Sequence, residues 1–85
     1  MNTFQHNPLA DHLEFDQDNF RVYLKDARVL SVPLIWFPKL SEASASQLKI
    51  YELLGDGEGI HWPEVDEDLS VAGLLAGDSR HISAA

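Results

Sequence analysis

Phe20, Val22 and Leu24 alternate with Arg21, Tyr23 and Lys25, and that period of two is the strongest constraint on what this chain can become. Successive side chains of a strand point to opposite faces, so the pattern specifies a strand with one buried and one wet face. Leu13 and Phe15 show a shorter form of it just before the turn-forming run Asp16-Gln17-Asp18-Asn19. Asp26-Ala27-Arg28 then turns the chain into a third strand, Val29 to Val32, which Pro33 ends because it offers no amide to the ladder. Register follows the buried face. Pairing Leu24 with Val29 mixes the faces, so the expected three-residue loop sets Leu24 opposite Leu30 and Val22 opposite Val32.

Between Pro33 and Pro38 the run Leu34-Ile35-Trp36-Phe37 is too bulky for a loop and too short for a long helix. One helical turn that presses Trp36 and Phe37 into the core fits it. Ser44-Ala45-Ser46-Gln47 has the form of a capping box, in which the serine hydroxyl and the glutamine side chain satisfy each other's backbone amides. Its helix places Leu48 and Tyr51 on one face and ends near Glu52 or Leu53. Asp56-Gly57-Glu58-Gly59 reads as a connector and Ile60-His61-Trp62 as a short strand. Ser70 is a good N-cap, preceded by Leu69 as a staple for Leu74, and Gly77 is a natural C-cap. Together these elements specify an α+β fold, a small antiparallel β-meander sheet covered on one face by short helices. One domain is expected over residues 11–77, between a flexible segment at 1–10 and a frayed tail at 78–85.

Six Lys and Arg against fourteen Asp and Glu leave the chain at −8. That charge repels phosphate backbones, which argues against direct nucleic-acid binding, and it favours a basic partner. There is no cysteine, so no disulfide or thiolate metal site can staple the fold. The first residues lack the basic start and apolar run of a secretory signal, and no apolar stretch approaches the ~20 residues needed to span a bilayer. A cytoplasmic protein without a membrane role is expected. A domain of 85 residues with an open sheet edge can also gain stability by pairing strands with a copy of itself, so a homodimer is expected.

The candidate site is the stretch from His61 to Asp68. His61, Glu64, Asp66 and Asp68 are residue types that suit Zn or Mn, although Pro63 separates the histidine from the acids. The structural reading is stronger: Asp66, Glu67 and Asp68 sit just before a helix N-terminus, where negative charge is favoured. Paired-carboxylate catalysis has no pocket to raise one carboxyl's pKa, and no nucleophile motif or phosphate loop is present. His6, His12 and His81 fall in end segments and read as surface residues. Trp36, Phe37 and Trp62 fit a core better than an aromatic platform, with one edge of Trp62 left beside the acidic turn. Arg21, Tyr23 and Lys25 form a second candidate interface if their sheet face is open.

The run from Lys25 to Gly77 resembles the prokaryotic family of domains of unknown function numbered 2442. The resemblance is carried by Asp26-Ala27-Arg28, Val32-Pro33-Leu34, Trp36-Phe37-Pro38-Lys39-Leu40, Gly59-Ile60-His61-Trp62-Pro63, Asp66-Glu67-Asp68-Leu69-Ser70-Val71 and Gly73-Leu74-Leu75-Ala76-Gly77. Ala27 stands where the family usually has glycine. The resemblance implies a small α+β domain similar to the N-terminal domain of a helix-turn-helix regulator. It also implies a gene often adjacent to that of another small protein, an arrangement suggestive of an antitoxin. It brings no catalytic residues.

The expected function is therefore a non-enzymatic, acidic interaction module without a cofactor, neutralising a small basic protein encoded nearby. Trp62, Glu64, Asp66, Glu67 and Asp68 are its expected partner-binding residues. Two alternatives remain open. One is a metal-binding hydrolase or sensor using His61 and the acids from Glu64 to Asp68. The other is a ligand-sensing domain working with a separate transcriptional regulator, for which the sequence offers no pocket signature.

Overall fold

The computed structural model describes residues 8–77, and the expectations for the outermost residues, His6 and His81 among them, lie outside that range. Two three-stranded antiparallel meanders make the α+β fold. The first holds β1 (Ala10–Phe15), β2 (Asn19–Leu24) and β3 (Val29–Pro33), and the second β4 (Glu52–Leu54), β5 (Gly59–Trp62) and β6 (Glu67–Ser70). A 3-10 turn at Leu34–Trp36, α1 (Pro38–Ser41) and α2 (Ala45–Lys49) connect the sheets, and α3 (Val71–Ala76) follows the last strand. Among the described residues no helix is long and apolar enough to cross a membrane.

The period of two in β2 does what its pattern requires: Phe20, Val22 and Leu24 are buried, whereas Arg21 and Tyr23 are half-exposed. The β2–β3 register differs from the expected one by two residues, with Val22 opposite Leu30 and Phe20 opposite Val32. The parity is kept, so the apolar face survives. The hairpin closes earlier because Ala27 adopts φ 79, which lets Ala27 N–H reach Leu24 O at 3.1 Å and Leu24 N–H reach Arg28 O at 2.9 Å. A turn completed by one left-handed residue is a favoured three-residue hairpin, and it explains why glycine would also suit that position. Strand β1 begins sooner than expected. Ala10 is fully buried and donates to Gly57 O at 2.8 Å, and Leu9 O accepts from Lys25 N–H at 2.9 Å.

After Pro33 the 3-10 turn splits the two aromatics. Phe37 is buried, but Trp36 is 42% exposed, which corrects its expected place in the core. The capping box is present as expected, with Gln47 N–H donating to Ser44 Oγ at 3.1 Å and Ser44 N–H to Gln47 Oε1 at 2.9 Å. Ser44→Ala should therefore lower the unfolding free energy by about 1 kcal/mol. In urea titrations the midpoint should fall with no change in slope; an unchanged midpoint would show that the box contributes nothing. The helix ends at Lys49 rather than near Glu52, because Glu52–Leu54 form a strand against β5.

One core joins the two sheets. Trp62 of β5 is fully buried, lies edge-on to Phe20 of β2 at 5.9 Å, and donates its indole N–H to the Leu48 carbonyl of α2 at 3.0 Å. Phe20 also contacts Phe37 at 6.3 Å. Through Trp62, then, both sheets and α2 meet at one side chain.

Candidate functional site

The β5–β6 hairpin carries most of the residues singled out from sequence, and its pleat divides them. Gly59 pairs with Ser70, Ile60 with Leu69, His61 with Asp68 and Trp62 with Glu67. Cross-strand partners share a face and alternate faces along the strand. Ile60, Trp62, Glu67 and Leu69 accordingly point into the core, with Glu67 only 4% exposed. His61 and Asp68 point outward.

Two of the five expected partner-binding residues are thereby corrected. Trp62 is inaccessible because it fills the joint between the sheets, and Glu67 because it sits opposite Trp62 on the buried face. One Glu67 carboxylate oxygen accepts the Asp68 N–H at 3.1 Å, and no buried side-chain polar atom among the described residues lacks a partner. Glu64 and Asp66 are exposed in the turn between the strands, and Asp68 is half-exposed. The helix-capping role expected for Asp66, Glu67 and Asp68 is also corrected. They occupy a turn and a strand, and the first turn of α3 contains no acid; Ser70 Oγ caps it by accepting from Gly73 N–H at 3.2 Å, and the Val71 N–H donates to the Glu58 carbonyl at 3.0 Å. Gly77 closes that helix in the left-handed conformation, as expected.

His61 Nδ1 meets Asp68 Oδ1 directly. On its other side His61 pairs with Glu52 of β4, so Glu52, His61 and Asp68 form a row across the outer face of the second sheet. Leu54, 42% exposed, lies on the same face two residues along β4 from Glu52. Of the metal set considered from sequence, only His61 and Asp68 come together. Among the described residues no group of three or more His, Cys, Asp or Glu side chains is placed to hold a metal ion. The turn itself is tethered, with Lys39 Nζ of α1 donating to the Asp66 carbonyl at 2.9 Å, which leaves the Asp66 carboxylate outside that contact.

The two sheets differ sharply in charge. Residues 50–77 contain seven acids and no Lys or Arg, whereas residues 8–49 contain six acids against five Lys and Arg. In the first sheet the charges are largely used internally. Arg21 Nη1 binds Asp16 at 2.8 Å and Arg28 binds Asp26 at 2.8 Å. Tyr23 donates to Glu14 at 2.9 Å while its ring stacks on His12 at 4.5 Å. The Asp18 and Asn19 amides, and then Arg21, hold the Asp16 carboxyl below the usual carboxylate range. The second sheet has no cation of its own to do this. Residues 50–77 thus hold −7 of the chain's net −8, on one sheet and the turns that flank it. This segregation could have been counted along the sequence, but Glu52 joins the site only once β4 is recognised as a strand.

A family model described as a protein of unknown function, DUF2442, matches residues 10–80. The chain is also similar to the crystal structure of a protein of unknown function from Rhodospirillum rubrum. The two are 35% identical with a TM-score of 0.74, over 85% of this chain and 89% of that one. Curated proteins give no match.

Proposed function

The chain belongs to the DUF2442 family of proteins of unknown function, and from that premise we propose that it is a non-enzymatic acidic recognition module. Its partner is a small basic protein, which it neutralises in the cytoplasm in the manner of an antitoxin. The observation that carries this reading is the charge segregation: seven acids and no Lys or Arg in residues 50–77. Of these acids Glu52, Asp56, Glu58, Glu64 and Asp66 are exposed. A one-signed surface steers an oppositely charged partner and sets its orientation, while an apolar contact holds it. Leu54, on the outer face with Glu52, Asp68 and His61, replaces Trp62 as that contact.

Neutralising Glu52→Gln, Glu64→Gln and Asp66→Asn together tests the reading. Asp66 has φ 55, and asparagine tolerates that conformation, so the turn is preserved. Binding to the basic product of the neighbouring gene should weaken roughly tenfold or more at low salt, and the difference from wild type should shrink as salt rises. If the neighbouring product never co-elutes with the wild-type protein at low salt, the partner reading fails.

A second reading keeps the likeness to a regulator's N-terminal domain and has this module sense a ligand beside a separate transcriptional regulator. It is favoured by a cleft of about 410 Å3 lined by Leu13, Glu14, Phe15, Arg21, Lys49 and Tyr51. A thermal-shift screen of small metabolites separates the two readings, since ligand sensing requires a stabilising hit that Lys49→Ala removes.

A further inference from the structure

The outer edge of the first sheet is closed at β1 and open at β3. At β1, Ala10 N–H donates to Gly57 O at 2.8 Å and Leu13 N–H to the Tyr51 hydroxyl at 2.9 Å. At β3 the bonds that bracket the ladder, Leu24 N–H to Arg28 O and Leu34 N–H to Asp18 O, fix which residues face β2. Antiparallel pairing alternates, so Leu30 and Val32 bond to β2 while Val29 and Ser31 turn their N–H and C=O groups outward. Among the described residues nothing meets those groups. Edge protection is confined to Pro33 at the end of the strand, since Val29-Leu30-Ser31-Val32 carries no charge, bulge or proline. Val29 is 50% exposed and Leu30, although it touches the core, is only half-buried. Immediately beyond Pro33, Ile35 and Trp36 leave further apolar surface exposed.

We propose that β3 pairs antiparallel with β3 of a second copy, around a twofold axis at Leu30, joining two first sheets into one six-stranded sheet. In this register Val29 of each copy exchanges both hydrogen bonds with Ser31 of the other, and the two Leu30 side chains meet on the core face, covering the half-buried edge. The neighbouring register, centred on Ser31, sets Val29 opposite Pro33, whose missing amide leaves the Val29 carbonyl unpaired. Only the Leu30 axis pairs every outward amide and carbonyl of both Val29 and Ser31. Two features favour a second copy as occupant. The first sheet lies in the nearly neutral half of the chain, six acids against five Lys and Arg over residues 8–49, so like-charged copies can approach there while their acidic sheets stay apart. A twofold pairing also consumes both β3 edges and closes, which leaves no open strand for further growth.

Sedimentation velocity on the purified protein tests this, with Ser31→Pro and Val29→Lys as variants. Proline at Ser31 removes an outward amide and no ladder bond, so the monomer fold should keep its circular dichroism. The wild type should sediment at twice its 9.5 kDa mass, and each variant should weaken the dimer by roughly tenfold or more. If Ser31→Pro alters the circular dichroism, Val29→Lys alone decides. A wild type that is monomeric at every concentration, or folded variants that dimerise as the wild type does, overturns the proposal.

Discussion

Trp62→Ala should leave the domain largely unfolded at room temperature. Removing a fully buried tryptophan ring usually costs about 3–5 kcal/mol, because a cavity remains as well as the lost burial. Here the loss is concentrated at the joint, since the ring meets Phe20 of the first sheet and donates to the Leu48 carbonyl. That carbonyl would be stranded in the core, at roughly another 1–3 kcal/mol. A small domain is typically stable by only about 5–15 kcal/mol, so the substitution consumes most of its margin. Circular dichroism and urea titration of the variant check this. A loss under about 1.5 kcal/mol, far below the range for buried aromatics, would mean that the two sheets hold together without Trp62.

Gly57→Ala should be almost as damaging, for a backbone reason. Gly57 has φ 112, and a Cβ there would stand 2.3 Å from Ala10 O and 2.7 Å from Ala10 N. Its own carbonyl accepts the Ala10 N–H, so β1 cannot move away without breaking the bond that closes its edge. Strain and overpacking together put the cost at about 2–5 kcal/mol. Gly77→Ala is the control: it also has a left-handed φ, of 77, but nothing lies within 4 Å of its Cβ position, so about 1 kcal/mol is expected. Equal urea midpoints for the two variants would contradict the close approach of Gly57 to β1.

What was legible in the sequence, and what was not, follows from how locally each feature is determined. The faces of β2, the Ser44–Gln47 box and both caps of α3 depend on residues within a turn of one another, and the structure contains all of them. The β2–β3 parity was legible for the same reason, but the shift by two depended on Ala27 accepting a left-handed conformation. Strand β4 was not legible, because Glu-Leu-Leu has no periodicity of its own and is extended only by pairing with β5. Strand β6 was masked by its acids, which disfavour strands in isolation; Leu69 opposite Ile60 and Glu67 opposite Trp62 place them there. Once that strand is present the candidate site changes composition. Trp62 and Glu67 turn inward, whereas Glu52 and Leu54 enter.

Titrating the 15N-labelled protein with the basic product of the neighbouring gene tests the proposed recognition face most directly. Amide shifts should cluster at Glu52–Leu54, at Glu64–Asp68 and at the outward-facing His61, and should collapse when salt is raised. Shifts confined to β1–β3, or binding indifferent to salt, would contradict recognition by the acidic second sheet.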